Sequence, residues 1–191
     1  MRSAICFLLS VLLWPALTAV SQDQTQLPGE VSQWFVNQDG SCVQCSISNC
    51  GVWQNCPQAG TLLFDTDFGS RVHGGSGPSR VEAYSNRRGI PCWNITGDSY
   101  SDTRPWMVWA SQTGRMAAIG CFGSHFQTEL QYVPGAEKPW RVRNNWYGTT
   151  GTYYEWTEAD FKRNHLASGP WIVILKTPPP PMMPLYVAWW K

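Results

Sequence analysis

The chain has 191 residues, 14% charged and 14% aromatic, with twelve Trp and a formal net charge of +1. Few charges with many large aromatics exclude a disordered chain, which needs the opposite balance, and the length suits one domain. Lys and Arg are spread too thinly to neutralise many phosphates, so nucleic acid is not expected as a partner.

Residues 1–21 carry the three-part pattern of a secretory signal peptide: Arg2 at a short positive end, an apolar stretch over 4–13, a break at Pro15, then small residues at Ala19 and Ser21. Cleavage is expected after Ser21, with Ala19 as the alternative, which implies a secreted or periplasmic protein. The apolar run is interrupted and short for a span of about 20 residues, so no stable membrane insertion is expected once the segment is removed. Residues 22–177 are read as a single domain and 178–191 as a proline-rich tail.

Six cysteines follow the signal segment: Cys42, Cys45, Cys50, Cys56, Cys92 and Cys121. An even set in an oxidising compartment defaults to disulfides. Zinc is disfavoured, because structural sites pair two short knuckles across a loop and His73, His125 and His165 stand apart. No metal or cofactor is expected.

Asn37-Gln38-Asp39-Gly40 is turn chemistry, and Ser41 is a good N-cap. Val43, Ile47, Cys50 and Trp53 then recur at helical spacing, which predicts a helix from 41 or 42 to about 55. Its propensity is poor, so tertiary burial must hold it. Pro57 opens a second short helix through Leu62, Leu63 and Phe64. A Gly-rich loop over 69–79 leads into a helix over 80–88, stopped at Gly89, and residues 90–95 suit a short strand. Asn94-Ile95-Thr96 matches the glycosylation acceptor pattern. Pro105 is read as the start of a helix carrying Trp106, Trp109 and Ala110 on one side.

Strands dominate from there. Residues 116–122 are apolar, Gly123-Ser124 is a turn, and 125–133 alternates, with His125, Gln127, Glu129 and Gln131 on one face. Further strands are predicted at 139–144, 153–156 and 171–175, with a helix capped by Thr157 between the last two. Helices first, then an antiparallel sheet with one late helix, make an α+β arrangement.

Three residues suit nucleophilic chemistry. Cys42 sits at a helix start, where backbone N–H groups favour a thiolate and can bind an oxyanion. His125, after a tight turn, is the best proton acceptor. Asn144, at the end of the next strand, is placed to orient that ring, with Asn145 as its competitor. Cys, His and Asn in that order suit cysteine-nucleophile hydrolysis.

The segments DGSCVQCS at 39–46, GPSRVEAYSNRRGI at 77–90, GSHFQTELQY at 123–132, RNNW at 143–146 and EWTEADF at 155–161 resemble papain-like cysteine peptidases, nearest to the compact branch of bacteriocin-leader-processing peptidases. The resemblance runs from about 38 to 175. It implies a papain-like fold in which the Cys helix packs on an antiparallel sheet, with Cys42 as nucleophile, His125 as general base, Asn144 as its orienting partner and a peptide or protein as substrate. It also implies Gln38 as an oxyanion-hole donor, although Gln38 stands closer to the nucleophile than in papain. Departures are the polar set Gln127, Glu129 and Gln131 after the histidine and the five further cysteines. Two alternatives stand beside hydrolysis: an inactive relative serving as a disulfide-stabilised binding or structural module, and a thiol–disulfide exchanger through Cys42 and Cys45.

Overall fold

A computed structural model describes residues 35–37, 40–68, 76–146 and 153–179. The signal segment, Gln38, His73 and the tail beyond 179 lie outside the described residues.

The helices are α1 (Cys42–Trp53), α2 (Pro57–Gly60), α3 (Pro78–Arg88), α4 (Tyr100–Gln112) and α5 (Glu158–Leu166). The strands are β1 (Cys92–Thr96), β2 (Ala117–Cys121), β3 (His125–Tyr132), β4 (Trp140–Arg143), β5 (Tyr154–Trp156) and β6 (Trp171–Leu175). They form one sheet in the order β1-β6-β2-β3-β4-β5, antiparallel at every pairing. The chain is therefore α+β, and the last strand runs between β1 and β2. The unbroken apolar sequence of β6 suits that central place, with four of its five residues buried.

Alternate residues along the strands feed two cores, as the two-residue period of a sheet requires. Val43, Ile47 and Cys50 of α1 pack with Ala118, Phe126, Leu130, Val173 and Leu175. Met107 and Ala110 of α4 and Phe161 of α5 pack with Ala117, Ile119, Val142, Ile172 and Ile174. Ten of the 12 residues of α1 are buried, polar ones included. Those polar side chains are used: the Ser48 hydroxyl accepts the Leu63 N–H at 2.8 Å, and Asn49 Oδ1 accepts the Phe35 N–H at 2.9 Å. Burial and these ties hold a helix whose composition alone would not.

Several elements differ from expectation for identifiable reasons. Helix α4 starts at Tyr100, not at Pro105, because Ser99 and Asp102 form a capping box that opens it earlier; Pro105 lies inside the helix. The β2–β3 connection is Phe122-Gly123-Ser124, since Cys121 pairs with His125. Strand β3 does not alternate strictly: a register shift falls between Glu129 and Gln131, and residues 126–131 are all buried. His165 of α5 is a core residue. Its Nδ1–H donates to the Gly120 carbonyl at 2.7 Å, and its Nε2 accepts the Thr103 hydroxyl at 2.9 Å, tying α5 to β2 and α4. Asn94 is engaged on both sides of its amide, donating to Pro78 O at 2.8 Å and accepting from Trp171 Nε1–H at 2.7 Å. All six cysteines named above are unbridged thiols. Among the described residues, no helix is long and apolar enough to cross a membrane.

Candidate active site

Cys42 is the first residue of α1 and 7% exposed. Ser41 stands at the N-cap position, but its side chain does not cap the helix; it donates to Asn37 Oδ1 at 3.4 Å. The first N–H groups of a helix have no partner within it, and those of α1 lie at the end where Cys42 sits. Burial pushes the Cys42 thiol up from its ordinary value, while the backbone N–H groups of Phe126, Val43 and Cys42 itself pull it down. Phe126 is the residue that follows His125 in β3, so the same strand start serves both groups.

His125 opens β3. Its Nε2–H donates to Asn144 Oδ1 at 2.9 Å, which fixes the tautomer and leaves the Nδ1 lone pair as the basic site. Burial lowers the imidazole pKa, and the Asn144 bond raises it in opposition. Asn144 lies one residue past β4, and its Oδ1 also accepts the Trp146 N–H at 3.1 Å. The Trp146 ring lies against the imidazole, 5.4 Å between centroids and tilted by 37°, with 61% of the residue exposed. The ring thus packs on the imidazole at the wall of the cleft.

The neighbouring asparagine has another task. Asn145 Nδ2 donates to the Cys42 carbonyl at 2.9 Å and to Ser46 Oγ at 2.8 Å, and its backbone carbonyl accepts the Asn37 N–H at 2.6 Å. Successive side chains of an extended segment point to opposite sides. One asparagine therefore holds the imidazole while the next clamps the end of β4 to the start of α1. The competition between Asn144 and Asn145 resolves into this division of labour. The roles of Asn145 and Trp146 were not read from the sequence; the extended spacing in RNNW was the available signal.

Cys42, His125 and Asn144 line one cleft of about 680 Å³, with Phe122, Gln127, Trp146, Tyr154 and Trp156 among its other walls. Gln38 lies outside the described residues. Cys45 is 0% exposed, and burial pushes its thiol up to about 12, so it lacks the accessible partner thiol that exchange through Cys42 and Cys45 requires. Among the described residues, no group of three His, Cys, Asp or Glu side chains converges on a position for a metal ion.

Glu129, two residues beyond Gln127, does not line the cleft. It is 0% exposed, and among the described residues neither carboxylate oxygen has a hydrogen-bond partner. Burial therefore raises its pKa well above the ordinary carboxylate value. The folded state keeps the proton that the unfolded chain gives up near pH 4.3. Stability from this group is complete below that pH and is lost as pH rises toward the folded-state value. Glu129→Gln is expected to flatten the decline and to raise stability at pH 8 by about 1–3 kcal/mol. Urea melts at pH 5 and pH 8 check this; equal slopes in the two proteins would contradict it.

No protein-family model matches the chain, and no curated protein matches it.

Proposed function

We propose that the chain is a secreted, papain-like cysteine peptidase or amidase-like hydrolase that uses Cys42, His125 and Asn144 on peptide bonds. The observation that carries the reading is the His125–Asn144 hydrogen bond at the cleft that Cys42 also lines from a helix N-terminus. His125 Nδ1 takes the thiol proton of Cys42 as the sulfur attacks the carbonyl carbon. The oxyanion is held by N–H groups at the start of α1, with Gln38 as the proposed side-chain donor. The C–N bond breaks as the imidazolium returns its proton to the leaving amine. Water, deprotonated by the same imidazole, then cleaves the thioester and restores the thiol. Secretion belongs to the same proposal and rests on the signal-like segment over residues 1–21.

Hydrolysis should follow a bell in pH. Below the imidazole pKa the ring is already protonated and cannot accept the thiol proton. Burial puts that acidic limb below the ordinary 6.5. The alkaline limb lies above the ordinary thiol value of 9.0, since burial raises Cys42. Iodoacetamide labelling mapped residue by residue, beside turnover of a fluorogenic peptide pool, tests the reading. Selective labelling of Cys42 and turnover that falls together with it support hydrolysis. A Cys42 no more reactive than the buried thiols, in a chain that still binds peptides, would favour the binding module instead.

A further inference from the structure

Resting on the reading of this cleft as the substrate site, we infer that Phe122, Tyr154 and Trp156 form a subsite that takes an aromatic side chain of the substrate. Single apolar side chains scattered over a surface are ordinary, whereas several gathered in one concavity mark a binding site. Among the described residues seven large apolar side chains are exposed, and three of them line this cleft: Phe122 at 51%, Trp146 at 61% and Tyr154 at 40%. Trp146 packs on the His125 ring. The other two stand with Trp156. Tyr154 and Trp156 are two apart in β5 and share a face, while Glu155 between them points the other way, to Arg141. The rings of Phe122 and Trp156 meet edge to face, 5.6 Å between centroids and 81° apart. They form a corner in which a third ring can lie flat on one and edge-on to the other.

Phe122 is fixed in this position at a cost. Its φ of 55° is left-handed, uncommon for a residue with a side chain, and such strain concentrates at binding and catalytic sites. Its N–H donates to the Asn164 carbonyl at 2.9 Å, and the Gly123 N–H donates to Ser168 Oγ at 2.9 Å. Both bonds anchor the β2–β3 turn to the end of α5 and the residues after it. The strain thus supports a ring that the core does not bury. Among the described residues the cleft lining contains no Asp, Glu, Lys or Arg, so a charged side chain would lose its hydration with no opposite charge to meet it. A small side chain would leave the walls wet. An aliphatic one would fill the space without the ring-to-ring contact.

The test separates binding from chemistry. Cys42→Ser protein is titrated calorimetrically with acetylated tripeptide amides Ala-X-Ala, where X is Phe, Leu, Ala or Glu. Phe is expected to bind about tenfold or more tighter than Ala or Glu, and about threefold or more tighter than Leu. Phe122→Gly in the same background removes the ring and relieves the left-handed backbone. Its melting temperature should be unchanged or higher while the Phe advantage is lost, a split that a merely structural ring would not give. Equal binding of the Phe peptide and any of the other three, or a Phe preference that survives Phe122→Gly, overturns the inference. Should Phe122→Gly fail to fold, Tyr154→Thr on the outermost strand carries the same test, and an undiminished Phe preference there counts against the subsite. Phe-selective binding with an inert Cys42 would sink the hydrolase alone. Turnover without aromatic selectivity would sink this subsite alone.

Discussion

His125→Ala is expected to reduce peptide turnover by about 10²–10⁴-fold, the usual worth of a positioned general base. The fold should survive, because His125 opens its strand and its side chain is bonded to Asn144 at the cleft wall. Asn144→Ala should act through the ring's orientation and tautomer, with a loss on the order of 10²-fold in kcat. Asn145→Ala separates position from chemistry. It leaves the buried Cys42 carbonyl and Ser46 hydroxyl without their donor, so a stability loss of about 1–3 kcal/mol is expected. Turnover and thermal melts on the three variants check the assignment. An Asn144→Ala protein that keeps full turnover, or a His125→Ala protein that keeps its acidic pH limb, would remove the proposed roles.

How far this site was legible in the sequence depends on the range of the interactions involved. Cys42 and His125 advertise themselves locally, one at a helix start and the other after a glycine turn. The partnership of His125 and Asn144 followed from a short connection between adjacent antiparallel strands, a nearly local inference. Most of what escaped is long-range, the start of α4 being the local exception. Pro105 looked like a helix opener because proline suits a first turn, yet the Ser99–Asp102 capping box sets the boundary five residues earlier. The polar set of β3 stood out against the apolar residues usual in a buried strand; Gln127 and Glu129 are buried all the same, and among the described residues their side chains have no hydrogen-bond partner. No periodicity argument reveals that, since alternation says which residues share a face and not what covers it. The burial of His165 between two helices and a strand is likewise a property of packing.

Gly51→Ala should be the most damaging small substitution in the α1 region. A Cβ at Gly51 would stand 2.2 Å from the Gly60 backbone nitrogen and 2.6 Å from the Ala59 carbonyl carbon. Both are backbone atoms, so α1 and α2 must separate. A fit this tight allows no other relief in an interior already packed near crystal density. The expected cost is about 3 kcal/mol, the upper end for overpacking, or a fall of about 6–12 °C in melting temperature for a chain of this size. Activity should fall further than stability accounts for, because α1 carries Cys42 at its opposite end and any tilt away from α2 moves the sulfur relative to His125. Gly60→Ala is the control on the other side of the same contact. Its Cβ would meet nothing closer than 3.5 Å, an ordinary van der Waals distance, and alanine is the better helix former by about 1 kcal/mol. It should therefore be neutral or mildly stabilising. Matching losses in the two variants would mean that the helix contact tolerates neither methyl and that the asymmetry argued here is wrong. A Gly51→Ala protein with unchanged melting and turnover would show that α1 reaches its place without the close approach to α2.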